Sequence, residues 1–101
     1  MAEIVLKTNQ PEKVHQILSE TLETEISRIE HSISYTKKKL LKFEQKYKIS
    51  SKEFMESWTA EDLEGKDMEY VEWSGEYNVW KNLNERLATI MDITYAAPAV
   101  S

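Results

Sequence analysis

The chain of 101 residues contains no cysteine, two glycines, two prolines and two histidines. Without thiols it can form neither a disulfide nor a thiolate metal site, and a reducing cytoplasm becomes the expected compartment. No apolar run approaches the ~20 residues that a helix needs to cross a bilayer. The opening stretch, MAEIVLKTN, is too short and too polar for a secretory signal. Glycine is too scarce for a phosphate-cradling loop. WSGEY is no nucleophile elbow either, because that turn requires glycine on both sides of the serine. With so few histidines, nothing assembles a nucleophile, a base and an orienting group in register. The expectation is a protein that is not an enzyme and needs no cofactor.

What the chain has in abundance is charge and helix-forming sequence. Charged residues make up 31% of it and hydrophobic ones 41%, with a formal net charge of −5. The charge is segregated. Lys37, Lys38, Lys39, Lys42, Lys46 and Lys48 stand against Glu44 alone, whereas Glu61, Asp62, Glu64, Asp67, Glu69, Glu72 and Glu76 face only Lys66. Two such blocks can neutralise each other across an antiparallel helix pair, or simply be solvated. Overall acidity disfavours nucleic-acid binding, which rests on neutralising phosphates. The Lys37–Lys39 run lacks the basic groove that such binding would require.

Along the chain, residues 1–9 read as a strand-like arm, since EIVLKT is β-branched and roughly alternating. Pro11 suits the first turn of a helix, and nothing breaks that helix through residue 48. Leu22, Ile26, Ile29, Ile33, Leu40, Phe43 and Tyr47 recur at alternating steps of four and three, with Thr36 in the one polar slot. That is a heptad seam of about four heptads, the pattern of a left-handed helix pair. Ser50 and Glu53 then fit a capping box, with Ile49 and Phe54 as its hydrophobic staple. These open a corner helix over residues 50–59. An acidic loop over 60–67 contains Gly65 and ends at Asp67 as the next cap. A further helix is expected over 68–94, followed by a loose tail over 95–101 in which Pro98 bars continuation of the helix.

The aromatic run EYVEWSGEYNVW, residues 69–80, falls within that last helix. Tyr70, Trp73, Tyr77, Trp80, Leu83, Leu87 and Ile90 recur every three or four residues, so the rings read as a core stripe rather than a cofactor box. Gly75 lies off the stripe. In a helix it costs about 1 kcal/mol relative to alanine, and a close backbone approach by the first helix or a partner chain would account for it. The glutamates between the rings are the candidate contact surface.

One metal reading can be drawn. Glu12 and His15 form Glu-x-x-His on the seam, the spacing of inward ligands in di-iron helical bundles. Such a site needs a second motif and further glutamates, with Glu69, Glu72 and Glu76 as distant candidates. An acid in a helix's first turn is, however, favoured by the helix dipole without any metal. No metal ligand is therefore assigned.

FEQKYKISSKEFMESW, the acidic segment EDLEGKD, the Glu72–Trp73 pair and YNVWKNLNERL together resemble a group of small prokaryotic antitoxin-like proteins encoded beside toxin genes. The resemblance covers roughly residues 40–90. Tyr47, Ser50 or Ser51, Glu53, Phe54, Glu72 and Trp73 match the group's helix corner in place, whereas Lys48 stands where the group favours glycine. The resemblance implies neutralisation of a cognate toxin, often an RNase, by direct binding. A small basic toxin would suit Glu61, Asp62, Glu64, Glu69, Glu72 and Glu76, with Tyr95 as the anchor of an extended arm.

The fold expected from all this is all-α: an antiparallel long-helix hairpin with a short corner helix and a short N-terminal strand. Helices this long in so small a chain call for a partner. A homodimeric coiled coil or four-helix bundle is expected, with Ile26, Ile29, Ile33 and Leu40 as its seam. The alternatives are a structural or assembly coiled-coil module without a toxin, and a metal–carboxylate bundle.

Overall fold

The structure is a computed structural model, and it describes residues 2–58 and 67–93. The fold is all-α. Helix α1 spans Pro11–Tyr47, α2 spans Ser51–Ser57 and α3 spans Asp67–Met91. Pro11 occupies the first turn of α1, where its missing N–H has no intrahelical partner to lose. At 37 residues, α1 runs about 55 Å. The molecule is correspondingly rod-like, with principal extents of 67 × 25 × 18 Å.

α1 and α3 lie side by side and antiparallel. Lys46 meets Glu69, Lys39 meets Glu76 and Glu25 meets Arg86, so partners advance along one helix as they retreat along the other. Lys39 and Lys46 belong to the basic block, Glu69 and Glu76 to the acidic one. Across these two pairs the blocks neutralise each other.

The expected N-terminal strand is not formed: residues 2–10 carry no regular structure and are exposed. A strand's backbone groups require a neighbouring strand, and among the described residues there is none. Asp67 does not stand outside α3 as a cap but is its first residue, supplying an acid to the first turn. The acidic loop over 60–67, apart from Asp67, and the tail over 95–101 lie outside the described residues.

The corner between α1 and α2 follows from four residues. Lys48 adopts a left-handed backbone, φ 55°, and ends α1. Such a conformation is open to glycine at no steric cost and to other residues only at some. Ser50 caps α2, its Oγ accepting from the Glu53 N–H at 3.1 Å. The Ser51 N–H, another unpaired first-turn donor, gives its hydrogen bond at 2.8 Å to the Glu44 carboxylate back on α1. The Trp58 N–H closes the end of α2 on the Phe54 carbonyl at 3.0 Å.

Candidate functional site

Around this corner the aromatic run becomes a core. Trp73 and Phe54 are fully buried and stack in parallel, centroids 3.8 Å apart. Phe43 and Tyr47 of α1 stack on Trp73 at 5.4 and 5.5 Å. Leu40 is buried in the same cluster, with Ile49, Met55, Trp58 and Tyr70 packed around it. Ile49 and Phe54 thus both reach this core, as a staple across the α2 cap would require. The indole N–H of Trp73 donates at 2.8 Å to the buried Ser51 hydroxyl, and Ser51 is itself tied to Glu44 through its backbone. A buried indole without an acceptor would be costly, so Ser51 is what lets tryptophan fill this position. Sequence reading gives Ser51 no role beyond an alternative to Ser50 in the resemblance; only the third dimension brings it under an indole 22 residues away.

The candidate partner-binding acids divide sharply. Glu69 takes the Lys46 ammonium on one oxygen and the Tyr47 hydroxyl on the other. Glu76 accepts from Lys39 at 3.2 Å. Both are half-buried and turned along the flank of α3 toward α1. Glu72 is exposed. Glu61, Asp62, Glu64 and Tyr95 lie outside the described residues. Of the six acids, then, two are engaged within the chain and one described acid faces outward.

These contacts shift titrations in a consistent sense. Burial, then the hydrogen bond to Glu69, holds the Tyr47 phenol above its ordinary value. The Glu76 hydrogen bond raises the Lys39 ammonium. At the far end, Arg28 and Arg86 share Glu25, and the hydrogen bond from Arg28 leads in lowering that carboxyl. All of these stabilise charged or hydrogen-bonded pairs within the fold, and none has the environment of a poised acid–base catalyst.

The four expected seam residues also divide. Ile29 and Leu40 are buried within the chain, at 0% and 3% exposure. Ile26 and Ile33 are half-buried. The close backbone approach expected at Gly75 is not made by α1: nothing lies within 4 Å of where a Cβ would stand.

Glu12 is exposed and His15 half-buried. Among the described residues no group of three or more metal-ligating side chains converges, so this pair has no third ligand there. A groove of about 540 Å³ lies between Glu20, Leu22, Glu25 and Arg86, open to solvent. No helix among the described residues is long and apolar enough to cross a membrane. Comparison with protein-family models, with curated proteins and with solved structures finds no match to this chain.

Proposed function

We propose that this is a non-enzymatic protein-binding protein of the antitoxin type, acting in the cytoplasm by direct binding to a small basic toxin. The observation that carries the reading is the corner. Of the residues on which the resemblance rests, Tyr47, Ser50, Ser51, Glu53, Phe54 and Trp73 pack or cap it, and Glu72 is exposed beside it. Lys48, the one departure from the group's pattern, holds the left-handed backbone that glycine favours. The corner thus forms with a lysine where the group favours glycine.

In this reading the contact surface for the toxin is narrower than the full set of acids. Glu72 and the loop acids Glu61, Asp62 and Glu64 meet the basic partner, with Tyr95 as a further anchor. Glu69 and Glu76 act as structural ties. A basic RNase cleft is recognised by such acids through complementary charge, which speeds encounter and rejects acidic proteins.

Affinity co-purification at native expression, with mass spectrometry of what elutes, tests the proposal. A small basic protein is expected in stoichiometric amount. Its recovery should fall with a Glu72→Lys bait, and its toxicity should be relieved by co-expression of this chain. Recovery of the bait alone would overturn the reading.

The second reading is an assembly module that works as a homodimeric four-helix bundle with no toxin. It is favoured by the seam: Ile26 and Ile33, two of its expected positions, stay half-buried against α3 alone. A two-copy state is compatible with both readings.

A further inference from the structure

From Glu3 to Lys7 the backbone makes no hydrogen bond among the described residues. The nearest tie is at the joint with α1, where the Thr8 hydroxyl accepts from the Gln10 N–H at 3.0 Å. Ile4 is 92% exposed, Val5 74% and Leu6 62%. α3 falls short of them: Arg86 stands opposite Glu25, and the helix ends five residues later (91 minus 86), at Met91. Three adjacent large apolar side chains thus stand in water on backbone whose donors and acceptors are all open. That combination is a surface left for something outside the described chain.

The composition of the arm says what fits it. Ile4 and Val5 are β-branched and favour extended backbone. In extended backbone Ile4 and Leu6 share one side, while Glu3, Val5 and Lys7 share the other. One side is wholly apolar and the other is rimmed by charge, the pattern of a strand that buries one face and wets the other. A strand needs a sheet edge, and among the described residues this chain has no strand to offer. A second copy brings only the same arm, and two strands alone are marginal in water. The occupant is therefore the sheet of another protein, already of two or more strands and with an open edge.

We propose that residues 3–7 bind a partner protein by adding a strand to the open edge of its sheet. Backbone hydrogen bonds supply the affinity, and the Ile4–Leu6 side packs onto the partner's sheet face. The proposal rests on the reading of this chain as a protein-binding protein and names a second contact for it. Glu72 lies near the corner, between Glu69 and Glu76, which meet Lys46 and Lys39. The arm leaves α1 at the other end of the rod.

Co-purification at native expression with the unmodified chain, Val5→Pro and Leu6→Pro as baits tests this. All are expected to keep the same helical content, because residues 3–7 lie outside the helices. In an edge strand every second N–H points into the ladder. Proline at one of the two positions should therefore cut recovery of the partner about tenfold, and at the other much less. Val5→Ala and Leu6→Ala separate the lost side chain from the lost N–H. In the purified complex, amide exchange over residues 3–7 should slow at alternate residues, including the one at which proline is damaging. Recovery of no partner, equal recovery with both prolines, or slowing at consecutive amides would each overturn the proposal. So would alternate slowing in the free chain, which would make the occupant this chain or its own copy. A small basic toxin captured equally by every bait would leave the antitoxin reading intact and remove this one. An arm-dependent partner without toxicity would do the reverse.

Discussion

The two ends of the rod are held by different physics. At the corner, three helices converge on Leu40, Phe54 and Trp73, and stacked rings and a buried indole hydrogen bond fill the space between them. At the far end only α1 and α3 remain. There Ile29 is buried, Leu87 and Ile90 are half-buried, and the visible polar tie is Glu25 shared by Arg28 and Arg86. α1 also runs on: Glu25 stands opposite Arg86, only five residues short of Met91, so the first turns of α1 extend past α3. A third element, even one of seven residues, is what turns an amphipathic pair into a core, because it closes the side that two helices leave open.

Breaking the corner should therefore cost more than breaking the far end. Trp73→Ala is expected to lose about 3–5 kcal/mol, a large share of the ~5–15 kcal/mol that holds a small domain. Leu87→Ala at the far end should lose about 1–2 kcal/mol. Urea unfolding of both checks the ratio, and equal losses would dissolve the contrast. Next in size is Ser51→Ala, which strands the Trp73 indole N–H and should cost about 1–3 kcal/mol. Lys48→Gly moves the other way: relieving a left-handed backbone should gain about 1 kcal/mol, seen as a higher melting temperature.

The smallest effect is in alkali. Tyr47 has its folded-state value raised above the unfolded one. Its contribution is thus complete below roughly pH 10 and is lost as pH rises through the raised value. Melting temperature should fall over that window, and less so in Tyr47→Phe.

Much of the corner was legible in the chain because its signals are local. Ser50 three residues before Glu53, Ile49 beside the cap and Phe54 after it speak of backbone donors and a staple within one turn of helix. The seam was legible too, since periodicity reports which face is apolar. What periodicity does not report is what covers that face. Ile29 and Ile33 stand one helical turn apart in the same pattern, yet one is sealed within the chain and the other half-open. Which acids pair within the chain and which face outward was hidden for the same reason. Glu69, Glu72 and Glu76 look alike in sequence, and it takes the position of α1 to show that two of them face Lys46 and Lys39. The Glu44–Ser51–Trp73 link spans three elements and leaves no mark in any one of them. The strand expected over residues 3–8 failed on composition alone, since β-branched residues favour extended backbone but cannot supply a neighbour to pair with.

The antiparallel register has a consequence for how the molecule closes. Tyr47 and Glu69 are 22 residues apart in the chain, Lys39 and Glu76 are 37 apart, and Glu25 and Arg86 are 61 apart (86 minus 25). Each step away from the corner encloses a longer stretch of chain, and the entropy of closing the last of these loops exceeds that of the first by about 1 kcal/mol. The pairs nearest the corner are thus the cheapest to bring together and the most strongly rewarded once formed. The loop lengths lead us to expect the two helices to zip outward from the bend and to part first at the open ends, so amide exchange should be fastest there, like a clip sprung from its joint.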